Sequence, residues 1–271
     1  MSNFDIGLSG LDASRKGLDI IGNNIANAAT EGYHRQRIEF VPSYASQNGG
    51  ILIGGGVDVS GVTSIINNFL EQEILREQST LGQVSQESST LQSIETSFGE
   101  LGGGSGLSVA IDKFFNALSD LSAHPDQLAY QTQVLSSGEA MTGQFRVLGD
   151  FLKNLELQIK TQVDNVVSQI NSLTTQIAGL NESIQHTEMN GGQANNLKDQ
   201  RDELIKKISE LSGVETQQRE YGVVDVSVGG VPVVMGTTTI QLAAGLQSET
   251  TLGIAPAGTY SYQATQGGQL G

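Results

Sequence analysis

LGDFLKNLELQIKTQVDNVVSQINSLTTQIAGLNESIQHT, residues 148–187, places apolar side chains at Leu148, Leu152, Leu155, Ile159, Val163, Val166, Ile170, Leu173, Ile177, Leu180 and Ile184. Spacings of three and four recur throughout, so these side chains share one face of a helix. A stutter at 159–163 interrupts the seven-residue period and locally unwinds any supercoil. At 1.5 Å per residue the stretch reaches about 60 Å, far longer than an average helix. Leu152, Leu155, Ile159, Ile170, Leu173 and Ile177 are therefore candidate core positions of a helical rod.

Asn190-Gly191-Gly192 ends this helix, and Leu197, Arg201, Leu204, Ile208 and Leu211 resume at spacing 4-3-4-3. The pair reads as an antiparallel helical hairpin, which adds Leu204 and Ile208 to the candidate core. The second arm is only about 24 Å long, so part of the first arm's apolar face needs another cover. A helix over 66–98, about 50 Å long, or another chain would supply it. Leu70, Ile74, Leu81, Val84, Leu91 and Phe98 give that helix its own seven-residue repeat. Gly102-Gly103-Gly104 then breaks the chain, as a linker rather than a phosphate loop, since no strand precedes it and no Lys follows. Leu107, Ile111, Phe114, Leu118 and Leu121 mark a further helix, and His124-Pro125-Asp126 reads as the next helix start, with Pro in its first turn.

Outside this rod the period changes. Residues 4–29 carry Phe4, Leu8, Leu11, Leu18, Ile21 and Ile25 on a narrow helical face. Gly7, Gly10, Gly17 and Gly22 weaken that helix by up to ~1 kcal/mol each relative to Ala, so it needs a partner. Residues 33–63 alternate β-branched side chains with Gly clusters, a pattern of short strands and turns. From Ser212 a small β region begins, with Val224, Val226 and Val228 leading into a Gly229-Gly230 hairpin turn and back along 231–235. Gly267-Gly268-Gln269-Leu270-Gly271 supplies no cap, helix or final strand, so the chain is expected to stop inside a domain. The expected fold is mainly α: a long antiparallel helical bundle or coiled-coil rod followed by a partial β domain, elongated overall. Its divisions are an N-terminal amphipathic helix (1–32), an extended short-strand linker (33–63), the helical rod (64–211) and the start of a β-rich domain (212–271).

Composition narrows function. The 271 residues hold 14 Lys+Arg against 29 Asp+Glu, a formal charge of -15, and no basic stripe that could neutralise nucleic-acid phosphates. Cysteine is absent, which removes disulfides, thiol nucleophiles and thiolate metal sites. No apolar run approaches the ~20 residues of a membrane span, and the N-terminus lacks the pattern of a cleaved secretory signal. His34, His124 and His186 lie far apart in sequence and suggest no metal site. Asp199, Asp202 and Glu203 alternate with Lys198, Arg201 and Lys206, which reads as a solvated or interhelical ion-pair face. No catalytic, cofactor-binding or metal-binding residue is assigned, and an enzyme has no support.

Ser9-Gly10-Leu11, Asn23-Asn24-Ile25-Ala26-Asn27 and Gly32-Tyr33 resemble the N-terminal signature of bacterial flagellar rod, hook and hook-associated proteins. Arg35-Gln36, the run from Gly54 to Val62, Asp112-Lys113-Phe114-Phe115 and the block from Asn195 to Leu204 resemble the hook-associated members, in their N-terminal portion. Glu31 stands where many members have Pro or Ala. The amphipathic helix that ends family members, and pairs with the N-terminal one, is not found in this chain. The resemblance implies a structural protein with no catalysis: an adaptor ring joining hook to filament and permitting flagellin assembly. It implies a self-assembled ring, the hook protein below, the second hook-associated protein and filament above, and a flagellar export chaperone. It also implies export through the flagellar type III channel without a cleaved signal, to the extracellular hook–filament junction. Leu11, Asn23, Asn24, Ile25, Asn27, Gly32 and Tyr33 are the implied polymer-interface residues, and helix 4–29 is implied to order only on assembly. The alternatives are another axial protein of rod or hook type, or a non-flagellar coiled-coil scaffold.

Overall fold

A computed structural model describes residues 3–44, 46–48, 51–98, 106–248 and 251–271. The chain opens with helix α1 (Asn3–Ala26), followed by strand β1 (Gln36–Pro42), the short pair β2 (Ser46–Asn48) and β3 (Ile51–Ile53), and β4 (Val57–Ser64). β1 and β4 pair antiparallel with an irregularity at Glu39/Phe40, and α1 lies against both. The expectation for helix 4–29 holds in position, although the helix stops at Ala26 and a turn follows. Among the described residues α1 buries only Ala13, while Phe4, Leu8, Leu11, Leu18, Ile21 and Ile25 stay 54–78% exposed. The helix thus leaves its apolar face uncovered within the chain.

Four helices follow: α2 (Asn68–Phe98), α3 (Leu107–Ala123), α4 (Leu128–Met189) and α5 (Asn195–Leu211). The Gly102-Gly103-Gly104 linker lies outside the described residues. α4 runs unbroken for 62 residues, about 93 Å. It begins at Leu128 rather than at Pro125, because 124–127 form a turn in which Gln127 N–H bonds the His124 carbonyl at 3.2 Å. α3 packs along the first part of α4, and α5 folds back on the last part as the hairpin requires. α2, one of the two covers the length argument allowed, meets α4 only lightly, through Gln86 and Gln162. It packs chiefly on α5, through Gln78, which accepts from Ser209 Oγ at 3.3 Å, and Gly82, where a Cβ would collide with the Glu210 carbonyl. Its own repeat of Leu70, Ile74, Leu81, Val84 and Leu91 faces outward.

The missing cover for α4 comes from the β region. β5 (Val214–Gln218), β6 (Val224–Val228), β7 (Val231–Met235) and β8 (Thr238–Thr239) form a sheet in that order, beside the pair β9 (Leu242–Leu246) and β10 (Leu252–Pro256). Gly229 (φ 54°) and Gly230 (φ 80°) make the expected hairpin turn, in which both residues need positive φ. Val166, Val167, Ile170, Ile177, Ile205 and Ile208 form one core cluster with Val226, Val228, Val233, Val234 and Ile254. Two α4 asparagines align strand edges on the helix. Asn171 exchanges 2.8 and 2.9 Å hydrogen bonds with the Leu242 backbone, and buried Asn181 donates to the carbonyls of Val224 and Gly236 at 2.7 Å.

Of the candidate core residues, Ile170, Ile177 and Ile208 are fully buried, while Leu155, Ile159, Leu173 and Leu204 are half-buried. Leu152 is 45% exposed, because the β region covers α4 only from about Val163 onward. The last residues also depart from expectation. The turn at 267–271 docks on α5, with Gln269 and Leu270 N–H bonding the carbonyls of Glu210 and Leu211 at 3.2 and 3.0 Å. Those carbonyls belong to the end of a helix, where no helical partner exists, so the turn acts as a cap.

Candidate functional site

The N-terminal signature folds into a polar joint between α1, β1 and the rod. Asn24 is its centre. Its Oδ1 accepts from Gln36 N–H at 2.8 Å and from the Tyr33 hydroxyl at 2.9 Å, while its Nδ2 donates to the Gln36 carbonyl at 2.8 Å. An amide side chain satisfies both backbone groups of one residue, which neither Asp nor Leu can do. Burial, then the Asp199 charge, push the Tyr33 phenol up, so it remains a donor at neutral pH. Asn27 closes the helix end: its Nδ2 donates to the Asn23 carbonyl at 3.0 Å, and its Oδ1 accepts from Thr30 Oγ1 at 3.3 Å. Gly32 takes φ 74°, and a Cβ there would stand 3.1 Å from Glu203 Oε2. Both geometry and space thus call for glycine at this turn.

Ser9 joins the other end of the linker. Its Oγ accepts from Val57 N–H at 3.2 Å, and a Cβ on Gly56 (φ 100°) would collide with it. Two motifs singled out separately, Ser9-Gly10-Leu11 and Gly54-Gly55-Gly56, are therefore one contact. The structure brings Asn24 and Tyr33 together directly, and pairs Asn23 with Asn27. Leu11 and Ile25 stay 71% and 72% exposed on α1. Asn24→Ala removes three hydrogen bonds and should raise exchange at the Gln36 amide by about tenfold, from a local loss of about 1–2 kcal/mol. The unfolding midpoint of the rod should stay unchanged, as followed by helical circular dichroism. A matching drop in that midpoint would show that the joint is part of the rod.

The joint meets α5 where the ion-pair face was expected, and the arrangement is different. Asp199 and Arg201 are buried, not solvated. Asp199 bonds His34 Nδ1 at 2.7 Å, a partner 165 residues away that no local spacing could show. Arg201 bonds the Gly222 carbonyl at 2.6 Å and Asp202 at 2.8 Å. Lys206 reaches Glu31 at 2.8 Å and Lys198 reaches Glu188 of α4 at 2.5 Å, the one truly interhelical pair of the set. Lys206 holds the Glu31 carboxyl below the usual range. Between these groups and β5 lies an open cleft of about 530 Å³, lined by His34, Glu71, Arg201, Asp202 and Arg219. His124 stacks on Tyr130 at 4.7 Å, and His186 is exposed at the end of α4. Among the described residues no group of three His, Cys, Asp or Glu side chains could hold a metal ion, and no helix is long and apolar enough to cross a membrane.

An amphipathic helix with an open apolar face is thus set by an asparagine-centred joint beside a long helical rod. Residues 91–271 match the family described as flagellar hook-associated protein FlgK helical domain, and the chain belongs to that family. Residues 4–34 match the flagella basal body rod protein family, the segment that carries the joint's motif. Flagellar hook-associated protein 1 of Salmonella typhimurium is 29% identical over 240 residues, covering 88% of this chain and 43% of the relative. Its Bacillus subtilis counterpart is 29% identical over 220 residues, 78% of this chain and 43% of the relative. The chain therefore spans under half the length of these relatives. The flagellar hook junction protein FlgK from Burkholderia pseudomallei superposes with a TM-score of 0.56 at 28% identity, over 74% of this chain and 38% of that one. The flagellar hook protein FlgE of Salmonella typhimurium is 43% identical, but over only 61 residues.

Proposed function

We propose that this chain is a non-catalytic adaptor of the hook–filament junction, assembling as a ring on the hook and permitting flagellin to add beyond it. The observation that carries this reading is α1: six large apolar side chains on one helix stay exposed, an arrangement suited to burial between subunits rather than within one. The joint around Asn24 ties that helix to the start of β1. In this reading 1–32 belongs to the inner tube, 33–63 links it outward, 64–211 forms the next layer, and 212–271 adds outer bulk. The partners are other copies of the chain, the hook protein below, and the second hook-associated protein and filament above. Before assembly an export chaperone holds the chain, which leaves the cell by the flagellar export channel without a cleaved signal.

Deleting the gene should leave hooks of normal length without filaments, and flagellin should accumulate in the medium. A tagged copy that restores filaments should label the distal end of each hook. Normal filaments in the deletion strain overturn the proposal. Label along the whole hook would instead favour a hook-type axial protein, the reading that the likeness to the hook protein over 61 residues supports.

A further inference from the structure

The N-terminal segment is tied to the rod almost wholly by polar contacts. No residue before Leu75 contributes to the core cluster among the described residues. The ties are Glu31 with Lys206, Gln36 with Asn196, His34 with Asp199 and Glu71, and Val62 with the α4–α5 turn. Val62 turns its N–H to Gln193 Oε1 and its carbonyl to Asn195 Nδ2, the latter at 2.7 Å. Within this set His34 alone has a side chain that ordinarily titrates near neutral pH. Its ring is 15% exposed and lies between two carboxylates, Nδ1 at 2.7 Å from Asp199 and Nε2 at 3.5 Å from Glu71.

We propose that His34 is a proton-dependent clamp: the charged imidazolium bridges Asp199 of α5 and Glu71 of α2, and loss of its proton releases the N-terminal segment from the rod. A neutral imidazole has one N–H and so serves one carboxylate as donor, whereas the imidazolium serves both. The surrounding charges point the same way. From α5, Asp202 and Glu203 face the same cleft, with Arg201 committed to Asp202 and Lys198 to Glu188. Lys206 is held by Glu31, and from the β region Arg219 is held by Asp225. The cations near the ring are therefore paired elsewhere, and Asp199 and Glu71 are left to it. The hydrogen bond to Asp199, then the charges of Asp199 and Glu71, raise the His34 pKa against the opposing effect of burial. A histidine raised on docking contributes fully below its ordinary value and loses that contribution as pH rises through the raised one. Each unit of the rise changes the docking equilibrium about tenfold. This inference concerns the chain alone and does not depend on the junction reading.

The cysteine-free chain allows clean labelling. Spin labels at Ala29→Cys and Gln200→Cys should show one narrow distance distribution at about pH 6, broadening as pH rises past the raised histidine value. Protection of the Val62 amide, corrected for intrinsic exchange, should fall about tenfold or more over the same range, while the Ile177 amide holds steady. In His34→Gln both signals should be independent of pH. Should that variant lose its α4–α5 fold, Asp199→Asn is the second arm, and it should move the transition to lower pH. A pH-independent Val62 amide in the native chain, the same profile in His34→Gln, or an unmoved transition in Asp199→Asn would each overturn the clamp.

Discussion

Arg201→Ala is expected to lower the unfolding free energy by about 3 kcal/mol, the low end for breaking a buried ion pair, because Arg201 is buried while its partner Asp202 is only half-buried. Arg201 is 4% exposed, and its guanidinium holds two things at once. One is the Gly222 carbonyl, in a turn where Tyr221 (φ 53°) and Gly222 (φ 68°) both take left-handed conformations. The other is Asp202, bonded through Nε at 3.0 Å and Nη2 at 2.8 Å. Alanine leaves the carbonyl without this donor and the carboxylate without its counter-charge. Burial raises the Asp202 pKa above 3.8, opposed chiefly by Arg201, so removing Arg201 raises it further. An acid with a raised folded pKa binds its proton more tightly when folded, so its penalty is absent below the ordinary value and grows as pH rises through the raised one. The deficit of Arg201→Ala should therefore be largest at neutral pH and shrink toward about pH 4. Denaturant unfolding of both chains at the two pH values checks this. Arg201→Ala with Asp202→Asn should recover part of the loss at neutral pH. A single-variant loss under about 1 kcal/mol would mean that Arg201 acts as an ordinary surface charge.

Arg201 also shows how far the sequence could be read. It falls on the 4-3-4-3 series of Leu197, Leu204, Ile208 and Leu211, yet it reads as part of an ion-pair face, and the structure buries it. The alternating charges around it suggested a solvated face, because local spacing does not carry the distant partners that bury Asp199 and Arg201. The rod was legible between Val163 and Ile184, where one helical face is continuous. It misled at Leu152 and along Leu70, Ile74, Leu81, Val84 and Leu91, which are equally periodic yet exposed. Period says which side chains share a face, not what stands opposite. The β region packs its valines against α4 and is aligned there by Asn171 and Asn181, polar residues beside an apolar stripe that carry no directional signal in sequence. In the joint, Asn24, Gly32 and Tyr33 were visible as a motif, whereas His34 was weighed only as a metal ligand, because its carboxylate partners arrive from two later helices.

The largest functional effect should come from residues whose loss the isolated chain does not feel. Leu11 and Ile25 are 71% and 72% exposed, and Leu18, one helical repeat from each, is 68% exposed. Exposed leucines are ordinary one at a time, but a row of six along 24 residues is a surface awaiting cover. Leu11→Asp with Ile25→Asp should change the unfolding free energy of the chain by no more than about 0.5 kcal/mol per site, the range of surface substitutions. In an assembled ring each position loses the burial of one large apolar side chain, about 3 kcal/mol, so the pair loses about 6 kcal/mol and weakens subunit addition about 10⁴-fold. Cells carrying the doubly substituted protein should export it and form hooks, yet lack filaments. Leu11→Met with Ile25→Val keeps the face apolar and should restore filaments. A normal filament count with both aspartates would place the assembly contact on another surface and remove α1 from it. The contrast with Arg201 separates the two halves of the molecule: loss of a buried guanidinium should weaken the folded rod, whereas charges on α1 should spare the rod and act only where its apolar face is covered.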